Sequence, residues 1–433
     1  MVHFRDIFSS DKKYLVISKD QDDATEKGLS LLVEKPVIGR FSPIWPKQND
    51  LGDIVEWTYD TSQNPDSPSR AWSLRTSLHK NTTESGPLRT LGRRIISGET
   101  RWGTVFRTNG EFGYTPYYWE WLEDVLSFSK KTLIKAQIFE AVLASLYTYD
   151  RNNDIIRAFC EAWCPDTNTL HTPLGEMSIS LWDLHRLGGL AITGSFYDEV
   201  IPCYKEMAGC DEKGRFIPKS CEYLFAAFYR LHNEKEGKPH VLVNDWIKFW
   251  FRGNSKYMKP PPRRPKRSCC PKQTYNPDGS FGKARAWSSK EKGAFVDLEV
   301  QEGLCEETYL AALLSCWLCI FVLPSEDLNT IRPGTFKVAS LMAIGRPFSL
   351  AIPVLTSLYR GLNMLARSPV VGSSKVCLPM HYVYGWLGHY FDTHHGVKLE
   401  VIGPKMVRFS GAGGARYYDE YEARRLIQSN RML

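Results

Sequence analysis

Between Trp163 and Gly194 the chain must change direction repeatedly within a short span. A helical pattern reaches Trp163 and meets Pro165, which cannot continue a helix and restricts the residue before it, so the chain turns at Cys164-Pro165-Asp166. Pro173-Leu174-Gly175-Glu176 has turn chemistry between Leu170-His171-Thr172 and Met177-Ser178-Ile179, which predicts a short hairpin. Ser180 and Asp183 have capping-box spacing and should open a helix through Leu187 that Gly188-Gly189 ends. Any fold adopted by this chain has to turn a corner here. The polar residues are dense, yet they form no recognisable catalytic constellation.

The flanking sequence says what the corner joins. Thr115 and Pro116 can cap and start a helix with Trp119, Leu122, Val125 and Leu126 on one face. A second helix is expected over about Thr132–Tyr147, where Ile134, Ile138, Val142 and Ser145 recur at spacings of three and four. A third, over Asp154–Trp163, carries an apolar stripe of Ile155, Ile156, Phe159, Cys160 and Trp163. Further helices are expected at Tyr223–Leu231, Val243–Phe251, through residues 308–365, and at the C-terminal end around Ala423, Leu426 and Ile427. Three amphipathic helices in succession imply helix-on-helix packing. The fold class read from these patterns is mainly α, a multi-helix globular domain with short β-hairpins and a partly β N-terminal region. Ile54–Tyr59 is the expected N-terminal strand.

Positive charge divides the chain more sharply than hydrophobicity does. Residues 252–292 carry 12 Lys and Arg against only Asp278 and Glu291, a segment charge of +10 in a chain of +7, so the remainder stands at −3. At its centre lies Pro260-Pro261-Pro262-Arg263-Arg264-Pro265-Lys266-Arg267, which cannot be helical and repels itself, and it reads as an exposed loop. The expected organisation is a variable N-terminal region at 1–105, two helical halves at 106–251 and 293–433 that share one core, and a basic, proline-rich insertion at 252–292. Arg263, Arg264, Lys266 and Arg267 suit nuclear import or contact with nucleic-acid phosphates.

Other patterns narrow the location. Met1–Lys13 lacks the apolar core of a secretory signal. The longest apolar run, Tyr309–Leu323, spans 15 residues and reads as a core helix, since a membrane span needs roughly 20. Eleven scattered cysteines in a chain this large imply reduced thiols, and a cytosolic or nuclear setting is expected.

Several groups could carry chemistry. His171 with Cys160 and Cys164 lacks the paired spacing and fourth group that zinc requires. Cys316 and Cys319 form a C-x-x-C inside an apolar helix with no second pair. His389, Asp392, His394 and His395 cluster densely but match no metal motif with a mechanism. Gly411-Ala412-Gly413-Gly414 lacks the Lys-Ser/Thr of a phosphate-binding loop. No catalytic residue, metal set or cofactor is assigned. A metal-dependent nuclease built on Asp166, Glu176, Asp183 and Asp198 is the competing enzymatic reading.

The corner closely resembles the hallmark of the plant mobile domain family, proteins also found within transposable elements. The resemblance rests on Trp163, Cys164, Pro165, Asp166, Thr167, Asn168 and Thr169, on Gly175-Glu176, on Leu181-Trp182-Asp183 and on Gly188-Gly189-Leu190. It continues through Phe196–Pro202, Trp246–Trp250, Glu307–Ala312, Cys316–Cys319, Ile331-Arg332-Pro333, His381–Leu387 and Phe409-Ser410-Gly411, about residues 110 to 430 in all. The corner residues named here are read as structural or interaction residues. The family's "aminotransferase-like" label finds no support in the residues, because no Schiff-base lysine, pyridinium carboxylate or phosphate cup is assignable.

What the resemblance implies is a non-enzymatic nuclear scaffold in transposon silencing, control of gene expression and genome stability, acting beside a plant phosphatase of the PP7-like type. Gly52-Asp53-Ile54-Val55-Glu56 departs from the metallophosphatase element, and no Gly-Asn-His-Glu follows, so phosphatase activity would have to come from that partner. A protein partner is expected, nucleic acid through the basic loop is the second expectation, and no membrane association is foreseen.

Overall fold

The structure is a computed structural model. It describes residues 90–103, 110–172, 175–211, 214–234, 240–257, 292–327, 329–372, 376–396 and 403–428, together with the backbone of four N-terminal strands. Those strands, β1 (Ile7–Ser9), β2 (Lys12–Val16), β3 (Ile44–Gln48) and β4 (Ile54–Tyr59), form an antiparallel sheet in the order β1-β2-β4-β3.

The rest is mainly helical. Ahead of the corner come α1 (Leu91–Ile96), the short strand β5 (Arg101–Trp102), α2 (Tyr118–Lys135), α3 (Phe139–Ala144) and α4 (Asn153–Ala162). The corner contains β6 (Trp163–Cys164), β7 (Thr169–Thr172), β8 (Gly175–Met177) and α5 (Leu181–Gly188). Beyond it lie α6 (Tyr204–Ala208), the two-stranded ribbon β9 (Cys210–Asp211) and β10 (Gly214–Arg215), α7 (Ser220–Asn233) and α8 (Val243–Trp250). After residues 258–291, which include the Pro260–Arg267 cluster and lie outside the described residues, follow α9 (Lys292–Asp297), α10 (Cys305–Trp317), α11 (Phe336–Ala343) and α12 (Ala351–Arg367). The chain finishes with β11 (Val370–Val371), α13 (Met380–Tyr390), a 3₁₀ turn at Lys405–Phe409 and α14 (Glu420–Gln428).

Two helical groups share one core. In the first, α10 is the hub, in contact with α2, α7, α8 and α11. Its residues Thr308–Trp317 are all buried, so a sequence with no polar face fits only a helix surrounded on every side. The Trp246 indole N–H donates to the Ala312 carbonyl at 3.0 Å and its ring stacks on Phe336, which ties α8 to both α10 and α11. The stretch Glu302–Val322 is long and apolar enough to cross a membrane, but most of it is buried inside the protein.

In the second group, α4, α12 and α13 pack against the corner and α14 packs on α4. A π-helical turn at Leu318–Val322 continues α10 and sets the Phe321 ring 4.2 Å from the His381 ring of α13, so the two groups meet through aromatic contacts. Glu161 pins the chain's outer parts: it accepts from the Trp102 indole at 2.7 Å and from Arg424 of α14 at 2.7 and 2.9 Å.

Helix α2 opens at Tyr118 behind Tyr117, φ 65, and Thr115 does not cap it, since its hydroxyl donates to the Gly113 carbonyl at 3.4 Å. Two further boundaries differ from the sequence patterns. The helix expected over Thr132–Tyr147 is divided, because α2 runs on to Lys135 and Gln137 adopts φ 59 before α3 begins. Trp163 ends the third helix in strand geometry, φ −72 and ψ 131, and pairs with Leu170. The expected hairpin is therefore a three-stranded sheet, β6-β7-β8.

Candidate functional site

The corner is built on that small sheet. Strand alternation sends Trp163, Leu170 and Met177 into the core, and leaves Cys164, Thr169, His171 and Glu176 together on the opposite face. Asn168 turns the chain between β6 and β7 in the left-handed region, φ 56, which Asn tolerates better than most residues. Asn363 of α12 bridges the turn to the core: its Oδ1 accepts from the Trp163 indole at 2.9 Å, and its Nδ2 donates to Asn168 Oδ1 at 2.7 Å. Ser178 donates to the Asn168 carbonyl at 2.7 Å, and Tyr359 donates to the Ile179 carbonyl at 2.7 Å.

On the polar face, Thr167 and Thr169 share a hydroxyl hydrogen bond of 2.6 Å, and Thr169 donates to Glu176 Oε2 at 3.1 Å. His171 Nε2 lies 3.9 Å from Glu176 Oε1. Burial pushes the Cys164 thiol up, but hydrogen bonds from the His171 and Thr167 side chains and from the backbone of Asp166 and Thr167 outweigh it and bring it below its ordinary value. The sheet thus unites Cys164 and His171. Cys160 is different: it stays on α4 in the core, where burial pushes its thiol up to about 12.

The carboxylates of the nuclease reading serve separate local roles. Asp166 is exposed and lies 3.6 Å from Arg367. Asp183 closes the capping box of α5, accepting from Ser180 N–H at 2.8 Å, and its other oxygen accepts from Tyr390 at 2.8 Å. Asp198 is exposed. Among the described residues no three His, Cys, Asp or Glu side chains are grouped to hold a metal ion. Cys316 and Cys319 are both buried in α10 and its π-helical turn, and Cys319 Sγ accepts from Arg332 N–H at 3.4 Å. His394 bridges Thr393 and the Asp150 carbonyl. Gly411–Gly414 forms a turn in which Gly413 N–H donates to Asp150 at 2.9 Å. Arg263, Arg264, Lys266 and Arg267 lie outside the described residues.

In the sequence, Phe196–Pro202 stands out only as a block of the family resemblance and for Asp198, with no surface role assigned to it. From Gly194 an arm runs to α6 without helix or strand structure of its own, yet it is firmly held. Ser195 N–H donates to the Pro347 carbonyl at 2.9 Å, and Ser349 N–H donates back to the Ser195 carbonyl at 3.0 Å. Arg332 clasps Glu199 through two hydrogen bonds of 2.8 Å, and Tyr197 donates to the same carboxylate at 2.7 Å. Four apolar side chains of the arm face solvent, Phe196 at 75% exposure, Ile201 at 62%, Tyr204 at 84% and Val200 between them, while Pro202 is buried. A signal was present in the sequence, namely four large apolar side chains within nine residues that fit neither helical nor strand periodicity.

A family model described as Plant mobile domain matches residues 137–431. No curated protein and no solved structure matches the chain.

Proposed function

Because this chain belongs to the plant mobile domain family, we propose that it is a protein-interaction scaffold whose partner docks on the arm Phe196–Tyr204. The observation that carries this reading is a rigidly tied backbone presenting Phe196, Val200, Ile201 and Tyr204 to solvent. Contiguous apolar exposure on a globular protein marks interaction surfaces, and aromatic anchors dominate interface energetics. Fixing the arm beforehand lowers the ordering cost of association. The corner's role is then to set α5 and the arm against α12.

In this reading the partner is a phosphatase of the PP7-like type. The complex works in the nucleus in transposon silencing, control of gene expression and genome stability. Arg263, Arg264, Lys266 and Arg267 supply nuclear import, with contact to nucleic-acid phosphates as their second use.

The test is affinity purification of the full chain from plant nuclei, beside a Phe196→Ser, Ile201→Ser, Tyr204→Ser variant. The wild type should recover the phosphatase, and the variant should lose it while keeping its circular dichroism and melting temperature. Equal recovery by both proteins, or a wild type confined to the cytosol with no stable partner, overturns the reading.

A further inference from the structure

A second surface lies where α5, α13 and the 3₁₀ turn Lys405–Phe409 meet. Glycines let these three elements approach closely. A Cβ on Gly188 would sit 2.7 Å from the Tyr382 ring, one on Gly385 2.6 Å from Met406 Cβ, and one on Gly388 2.7 Å from the Phe409 ring. The turn is therefore pressed against both helices, and the residues beside those glycines are brought to its edge. Arg186 stands two residues before Gly188, and His389 directly follows Gly388. Within the turn, Lys405 and Arg408 are three residues apart, and in 3₁₀ geometry such side chains eclipse on one side.

The result is a concentration of positive charge beside a partly buried imidazole. Lys405 and Arg408 are exposed, and neither has a carboxylate partner among the described residues. Asp183, the acid on α5, is engaged by Ser180 and Tyr390. On α13 beside them, the His389 Nε2 atom is buried and has no hydrogen-bond partner among the described residues. Burial lowers Lys405, and the charges of Arg186 and Arg408 lower it further, as expected of cations held near one another. The same three cations act on His389, after burial, to bring it down to about 4.

Helix C-terminal ends favour cations, which accounts for Arg186 in the last turn of α5. It does not account for Lys405 at the start of the 3₁₀ turn. An oxyanion would, since Arg and Lys donate charge-assisted hydrogen bonds to phosphate oxygens.

We propose that the seam of α5, α13 and the Lys405–Phe409 turn is a binding site for a phosphate group, held by Lys405 and Arg408 with Arg186 adding positive charge. The phosphate belongs either to a nucleic-acid backbone or to a small phosphorylated molecule, and this surface is separate from the Arg263–Arg267 cluster.

The test uses the full chain, with inorganic phosphate followed by calorimetry against chloride at matched ionic strength. A Lys405→Ala, Arg408→Ala variant should bind phosphate about tenfold more weakly, the scale of one charge-assisted hydrogen bond. A Lys405→Arg, Arg408→Lys variant should stay within about threefold of wild type, since it keeps both charges. In parallel, a labelled duplex DNA is titrated at several salt concentrations. Loss of phosphate binding together with a salt slope shallower by about two identifies the backbone as the source. Loss of phosphate binding with unchanged DNA binding identifies a small phosphorylated ligand. Phosphate indistinguishable from chloride, or equal phosphate affinity in the alanine variant, overturns the site.

Discussion

Arg332 holds Glu199 by two parallel hydrogen bonds, Nε to Oε2 and Nη2 to Oε1, each 2.8 Å long, across 133 residues of sequence. Burial would raise the Glu199 carboxyl, but the bonds and charge of the guanidinium, aided by the Tyr197 hydroxyl, hold it below its ordinary value. A depressed folded-state pKa contributes stability above the unfolded carboxylate pKa of about 4.3, and that stability is lost as pH falls through the folded value. Arg332→Ala is therefore expected to cost about 2 kcal/mol at pH 7, less than for a fully buried pair because both side chains keep some solvent contact. Urea unfolding at pH 7 and pH 3.5 checks this. The difference from wild type should narrow at the acid end, and a constant difference would mean the pair is not its source.

Asn363 links the core to the Asn168 turn. Replacing it with Leu leaves the indole N–H of the buried Trp163 without its acceptor and frees the turn, so about 1–3 kcal/mol should be lost in chemical unfolding. Asn168→Gly keeps the φ 56 backbone accessible and removes only one bond, and its cost should stay under about 1 kcal/mol. An Asn168→Gly variant less stable than Asn363→Leu would contradict this ordering.

Two glycines separate strain from crowding. Gly189 caps α5 at φ 70, and a Cβ there would meet the Ala141 backbone nitrogen at 2.7 Å. Gly413 has φ 82 with nothing within 4 Å of its Cβ position. Gly413→Ala should cost about 1–2 kcal/mol, the left-handed penalty alone. Gly189→Ala adds about 1–3 kcal/mol for displaced backbone and should melt well below the Gly413 variant. Equal melting temperatures would show that the Gly189 contact relaxes freely.

His394 predicts a dependence on pH. With the proton on Nε2, it donates to the Asp150 carbonyl at 3.1 Å while Nδ1 accepts from the Thr393 hydroxyl at 2.8 Å, an arrangement suited to the neutral ring. Burial, then the nearby His395, brings it down to about 4. Its contribution is present above the unfolded histidine pKa of about 6.5 and fades as pH falls toward 4. Between about pH 6 and 4.5, His394→Gln should flatten the loss of stability by about 1.4 kcal/mol per pH unit. Parallel wild-type and variant stability curves across that interval would exclude His394 as the titrating group.

Much of the corner was legible in sequence because its signals are local. The Ser180–Asp183 capping box, the glycine exit of α5 and the hairpin after Leu170 each depend on residues within a turn of one another. The span of α8 was equally readable from its aromatic stripe, and the buried character of α10 from its unbroken apolar run. The division between α2 and α3 was not legible, because the helical spacing of Ile134, Ile138 and Val142 persists across a break made by the backbone at Gln137. Trp163 likewise extends the helical stripe, and only its pairing with Leu170 turns it into a strand.

The sequence by itself determined the helical class, the corner and the family blocks, since periodicity, capping and turn chemistry act over a few residues. Tertiary structure alone decided which side chains share a surface. Glu199 with Arg332, and Arg186 with Lys405 and Arg408, are neighbours because whole elements pack together. Such packing is set by shape and burial across the core, and no local pattern records which distant side chains it will bring into contact.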